Sequence, residues 1–225
     1  MKWRIGNYTV TLETMGYPFI QHIQQLLQSD LPGEKAHRKM LPPGRKLSAN
    51  FNEMPEVKYS SVLLLLFPHE GRIYTCLTRR NPNMKNHPGQ ISFPGGRIEE
   101  GESPELTAMR EAQEEVGISP LDIRLLGMLS QLFIPVSGYT IFPYVGWVDH
   151  KPNFVLNEAE AEKLILLPVQ EFLQEERIAH TEMDTIRGRL RVPYYPYEGE
   201  IIWGATAMIL AEFFEILKEG SLTLQ

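Results

Sequence analysis

The sequence predicts an α/β fold, a mixed β-sheet with helices on both faces. Three observations lead there. Apolar runs of strand length recur between turn signals from Ser60 to Val148, a helical acidic stretch from Ser103 to Val116 divides them, and an apolar helix from Trp203 to Leu217 closes the order. Elements in this sequence suggest a sheet with the acidic helix on one side and the C-terminal helix on the other.

Residues 1–55 read as an extension ahead of a main domain spanning 56–225. Tyr8 to Leu12 is a short strand, and Phe19 to Gln28 places Phe19, Ile23, Leu26 and Leu27 at helical spacing. From Leu31-Pro32-Gly33 to Leu41-Pro42-Pro43-Gly44-Arg45 breakers are so frequent that a loop or extended arm is expected rather than an element. That arm is expected to pack on the main domain or on a second subunit, which would make a homodimer.

Ser60 to Phe67 is a continuous apolar strand, Pro68-His69-Glu70-Gly71 is turn chemistry, and Arg72 to Thr78 returns as the second arm of a hairpin. The acidic helix begins with Ser103 as N-cap and Pro104 at its first position, with Glu105 against the positive end of the dipole. Gly117 stands where a left-handed residue would end it. Ile123 to Ser130 and Thr140 to Val148 form a second strand pair, connected through Pro135 to Gly138. Lys163 to Leu167 is a further strand, followed after Pro168 by a short helix through Phe172. Arg187 to Tyr195 alternates as a strand does, and Pro193, Pro196 and Gly199 mark a turn before Glu200-Ile201-Ile202 and the last helix.

Composition bounds the function. The chain has 225 residues, 43% apolar and 22% charged, as in a globular protein with a sizeable core. A net charge of −6 argues against a general binder of nucleic acid or anionic membranes, which needs clustered Lys and Arg. A small-molecule substrate is expected, bound by local cations. The longest apolar run, Val62 to Phe67, is far too short to span a bilayer. The lone Cys76 excludes an intramolecular disulfide and suits a reducing compartment, so a cytoplasmic protein with a packed thiol is expected.

The acidic helix carries the chemistry. Glu111 and Glu115 are four apart and Glu114 is three from Glu111, so the three carboxylates are expected on one face. Their repulsion, roughly 0.2–0.5 kcal/mol per pair on an isolated helix, is relieved by a divalent cation that uses carboxylate oxygens as hard ligands. Mg²⁺ or Mn²⁺ is the natural cofactor. Arg110 reads as an ion-pair anchor for Glu102, a residue that orients rather than catalyses. An acidic helix alone is ordinarily a solvated face.

The whole stretch is more specific than that. Gly96, five residues, Glu102, seven residues, Arg110-Glu111, then Glu114-Glu115 and Gly117-Ile118 resemble a Nudix box, with Ala112 departing from the usual bulky aliphatic. The resemblance implies an α/β/α sandwich and a metal-dependent pyrophosphohydrolase. It makes Glu111, Glu114 and Glu115 the metal ligands and catalytic carboxylates, supported by Arg110 and Glu102. A main-chain carbonyl of Gly95 or Gly96 is a further candidate ligand, and Glu160, ahead of the strand ending at Pro168, is the candidate for a late carboxylate that completes the site or acts as base.

Just upstream, Leu77-Thr78, Arg80, Gly89 and Phe93-Pro94-Gly95-Gly96 resemble the coenzyme A signature of the CoA-pyrophosphatase branch of that family. Asn81 stands where Ser or Ala is usual, and Lys85 where Arg is usual, which keeps the charge but loses the bidentate fork. Coenzyme A carries a 3′-phosphate and a pyrophosphate, so Arg80 and Lys85 are the leading substrate-binding candidates. Arg79, Arg97, His87, Gly89 and Phe93 complete that set. Ile202 to Ala207 resembles a stretch of the same branch and reads as packing, with Trp203 as a pocket wall. The implied reaction is hydrolysis of CoA or an acyl-CoA to adenosine 3′,5′-bisphosphate and 4′-phosphopantetheine or its acyl form. The alternatives are a Nudix pyrophosphatase for ADP-ribose or a dinucleotide, or a non-catalytic nucleotide-binding module, against which the intact carboxylate set argues.

Overall fold

The computed structural model describes residues 3–5, 8–10, 17–45, 47, 57–84, 87–174, 177–185 and 188–219. In chain order the elements are β1 (Trp3–Ile5), β2 (Tyr8–Val10), α1 (Tyr17–Gln28), α2 (Glu34–His37), β3 (Lys58–His69), β4 (Arg72–Arg80), β5 (Ile91–Ser92), β6 (Gly95–Arg97) and α3 (Pro104–Val116). Then come β7 (Arg124–Met128), β8 (Leu132–Ile134), β9 (Tyr139–Trp147), β10 (Ala161–Pro168), α4 (Val169–Gln174), β11 (Ala179–Thr185), β12 (Gly188–Tyr197), β13 (Glu200–Trp203) and α5 (Gly204–Glu219).

The main sheet runs β10-β4-β3-β9-β7, with β5 on β4, β6 on β3 and β8 on β9. It is mixed because β3 and β9 pair in parallel from Lys58↔Tyr139 to Leu66↔Trp147, while β3 and β4 form an antiparallel hairpin. Positive φ at Glu70 (48°) and Gly71 (74°) supplies the tight turn between them.

Side-chain alternation along β3 builds two cores. Leu63, Leu65 and Phe67 join Ala108, Ala112 and Val116 of α3, whereas Leu64 and Leu66 join the cluster formed by α1 and α5 on the opposite face. Buried Cys76 lies in the α3-side core, where burial pushes its thiol up to about 12, so it packs and does not react. No helix among the described residues is long and apolar enough to cross a membrane.

Two expectations need correction or extension. The breaker-rich arm contains a short helix, α2, and a turn of 3₁₀ helix at Arg38–Met40. It packs on α5, because the fully buried Glu212 carboxylate accepts from Gly33 N–H and Ser130 N–H, each at 3.2 Å, and stands 2.8 Å from His37 Nε2. The third sheet, β11-β12-β13, contains a strand, β11, that carries too little apolar residue to be read from sequence. Thr11, Leu12 and Arg187, and the boundary expected at 55–56, lie outside the described residues.

Candidate active site

α3 is held at both ends. Ser103 Oγ accepts the Leu106 N–H at 3.4 Å, and the Tyr144 hydroxyl binds Glu105, tying the first turn to β9. At the other end Gly117 takes φ 74°, and its N–H donates to Gln113 O at 3.0 Å. Past the helix the chain doubles back. Val155 N–H donates to Val116 O at 3.0 Å and Asn157 N–H to Glu115 O at 2.9 Å, which satisfies carbonyls that the helix leaves open. This lays the 155–160 loop, with Glu160, beside Glu115.

Glu111 and Glu115 face the sheet together. The Glu115 side chain is only 3% exposed, and burial pushes its carboxyl up to about 8, opposed by Arg80 and reinforced by Glu111 and Glu160. Its Oε2 is buried with no hydrogen-bond partner, and the same is true of Arg80 Nε. Arg80 Nη1 stands 3.8 Å from Glu115 Oε1, outside hydrogen-bond range, so attraction between them is Coulombic. Burial also raises the Glu111 carboxyl, with Arg110 opposing it. The Glu111 carboxylate occupies the place where Gly96 lacks a side chain, and a Cβ on Gly96 would overlap it. Gly95 is constrained from the other side, since its Cβ would meet the Ser61 carbonyl and Val62.

Arg110 gathers the surrounding acids. Its Nε and Nη2 donate to the two oxygens of Glu102 at 2.9 and 3.1 Å, and Nη1 donates to Glu111 at 3.0 Å and Glu114 at 2.9 Å. Glu102 also accepts from Thr107 Oγ1 at 2.6 Å, and these bonds, Arg110's above all, hold its carboxyl down at about 2. Arg110 is in turn held still more firmly protonated.

Glu114 departs from the expected shared face. Its side chain is 51% exposed and turned to Arg110, because positions 114 and 115 lie about 100° apart around the helix and the i,i+4 pair with Arg110 draws Glu114 outward. The third carboxylate felt by both Glu111 and Glu115 is Glu160.

The substrate-binding candidates divide. Arg80 faces the carboxylates. Arg79, the next residue along β4, points to the other face and pairs with Glu162 and Glu200, each at 3.3 Å, so it is corrected to an ion-pair residue. Phe93 is corrected to a core side chain, 1% exposed in the cluster beneath α5, with no surface for a ligand. His87 is exposed at φ 55° with its ring 3.0 Å from Gln90 Oε1, and Gly89 (φ 68°) donates its N–H to Arg80 O at 3.2 Å. Arg97 is exposed and offers its carbonyl to Arg110 Nη2 at 3.4 Å. Lys85 lies outside the described residues.

Sequence reasoning missed the part played by Asn81. Its Nδ2 donates to Glu158 O and its N–H to Glu160 O, both at 2.8 Å, so it ties the Glu160 loop to the end of β4. The signal was present as the departure from Ser or Ala at this position, since neither has an amide to reach Glu158.

Two adjoining carboxylates, one with a buried unpaired oxygen, over a glycine that leaves them room, fit a hard divalent cation. Among the described residues no set of three or more His, Cys, Asp or Glu side chains is already gathered around one such position.

A protein named Uncharacterized Nudix hydrolase NudL from Photorhabdus laumondii is 32% identical over 170 residues, covering 75% of this chain and 87% of its own length. Another of that name from Yersinia enterocolitica is 39% identical over 137 residues, covering 60% and 69%. The crystal structure of a MutT protein from Methanosarcina mazei aligns with a TM-score of 0.49 at 17% identity, over 72% of this chain and 96% of that one. The NUDIX domain model matches residues 58–186, more than half of the sequence and all of α3, and the chain therefore belongs to the Nudix family.

Proposed function

We propose that this Nudix protein hydrolyses the phosphoanhydride of coenzyme A or an acyl-CoA, releasing adenosine 3′,5′-bisphosphate and 4′-phosphopantetheine or its acyl form. The observation that best supports this reading is the approach of Arg80 to Glu115. A cation from the segment resembling the coenzyme A signature and carboxylates suited to a metal meet at 3.8 Å.

Glu111 and Glu115, with the Gly96 carbonyl, are the residues that would hold Mg²⁺ or Mn²⁺, and Glu114 would join them only by turning away from Arg110. When bound, the cation neutralises the bridging phosphates and lowers the pKa of an attacking water. Arg110 fixes Glu102 and Glu111 before substrate arrives, so little reorganisation is left for the reaction itself. Glu160 is the candidate to take the water's proton as the new P–O bond forms and the bridging P–O bond breaks. Arg80 and Lys85 neutralise substrate phosphate, while His87 and Arg97 lie exposed nearby in sequence.

Rates with CoA, dephospho-CoA and ADP-ribose under Mg²⁺ and Mn²⁺ test the assignment. CoA should be preferred, and Lys85→Ala should mainly raise its KM. Preference for ADP-ribose would support the second reading, a Nudix pyrophosphatase for another nucleoside diphosphate, which the departures at Asn81 and Lys85 favour.

A further inference from the structure

The segment beyond the family match reaches back to the candidate site at one rung of the sheet. Arg79 of β4 pairs with Ile91 of β5, and both belong to the strand ends from which the 81–90 connection springs. Each partner is held by a residue from outside the matched span 58–186. Glu200, at the β12–β13 turn, accepts from Arg79 Nη1 at 3.3 Å and from Lys163 Nζ at 2.8 Å, and its side chain is 10% exposed. Thr206, in the first turn of α5, donates its Oγ1 hydrogen to the Ile91 carbonyl at 2.8 Å in a buried contact. A third tie, from the Tyr197 hydroxyl to Leu166 O at 3.0 Å, fixes the same hairpin on β10.

The consequence falls on Arg80. Its N–H donates to Gln90 O at 2.9 Å, so its backbone moves with the rung that Glu200 and Thr206 secure. Because neighbours on a strand point to opposite faces, locking Arg79 on the α5 side sets where Arg80 emerges on the α3 side, opposite Glu115. The Arg80 guanidinium has its Nε buried and unpaired, and its Nη1 approaches Glu115 only at 3.8 Å, so the backbone from which it springs weighs heavily in where it sits.

We propose that Glu200 and Thr206 are positioning residues, acting through Arg80, that set affinity for the phosphate of the substrate. This rests on the reading of Arg80 as a phosphate-binding residue. The test compares KM and kcat for CoA, with ADP-ribose in parallel, among the full-length wild type, Glu200→Gln, Thr206→Val, Thr206→Ser and Arg80→Ala. Melting temperatures confirm that each variant is folded.

Glu200→Gln and Thr206→Val should raise KM about three- to tenfold with kcat nearly unchanged. Thr206→Ser, which keeps the hydroxyl, should restore the wild-type KM. Added to Arg80→Ala, neither Glu200→Gln nor Thr206→Val should raise KM further, because residues acting through one group are not additive. An unchanged KM in the folded single variants, or an undiminished effect on the Arg80→Ala background, overturns the positioning role. A wild-type KM in Arg80→Ala itself overturns instead the phosphate-binding reading on which it rests.

Discussion

Glu115 is the side chain whose environment says most. Its carboxyl titrates at about 8 when folded against an ordinary 4.5, chiefly because burial disfavours the charge. A raised acid pKa means that the folded state holds the proton more tightly than the unfolded chain. This group's contribution to stability is therefore full below about pH 4.5 and is lost as pH rises through about 8. In chelator, the wild type should lose melting temperature across that window more steeply than Glu115→Gln, whose amide does not ionise. Parallel curves would show that the carboxylate is not desolvated. Gly96→Ala separates geometry from stability at the same place. The added methyl meets the movable end of Glu111, so the fold should survive while kcat falls at least about tenfold. Much of this site was legible, since helical spacing brought Glu111 and Glu115 together and the resemblance to the box added Arg110 and Glu102. Glu114, Phe93 and Arg79 were misplaced because side-chain direction follows partners that sequence does not show, namely Arg110, the α5-side core and Glu200.

At the scale of elements, α3 owes its position to its ends. Gly117 combines φ 74° with a Cβ that would come within 2.8 Å of Val155 Cβ, so Gly117→Ala is both strained and crowded. It should destabilise by about 1–3 kcal/mol and shift the 155–160 loop, lowering kcat more than Ser103→Ala, which removes only the N-cap bond. Chemical denaturation and steady-state rates together check this. Helices and hairpins with strong caps or apolar runs, such as α3 and β3–β4, were readable for that reason. α2 was hidden among prolines and glycines because a tertiary contact, the Glu212 carboxylate, completes it. β11 has polar residues on both faces and is paired, among the described residues, by β12.

Across the whole molecule, the Nudix sandwich carries the candidate site on the α3 side, and Glu200 and Thr206 on the α5 side, of one mixed sheet. The extension is part of that second core, with Phe19, Ile23, Leu27 and Met40 packed among residues of α5 and the sheet. Glu212→Ala would leave the N–H groups of Gly33 and Ser130, and the ring of His37, without their acceptor. It should cost about 3 kcal/mol or more while leaving kcat of the folded fraction unchanged, as urea unfolding and active-site-normalised rates would reveal. The central claim is that the paired carboxylates over Gly96 serve a divalent cation in cleaving a phosphoanhydride, with Arg80 beside them to receive coenzyme A. The most direct measurement is mass identification of the products of CoA with Mg²⁺ or Mn²⁺, for the wild type and Glu115→Gln side by side. Adenosine 3′,5′-bisphosphate and 4′-phosphopantetheine from the wild type, with turnover nearly abolished in Glu115→Gln, is the expected result, and intact CoA or equal turnover by both proteins would contradict it.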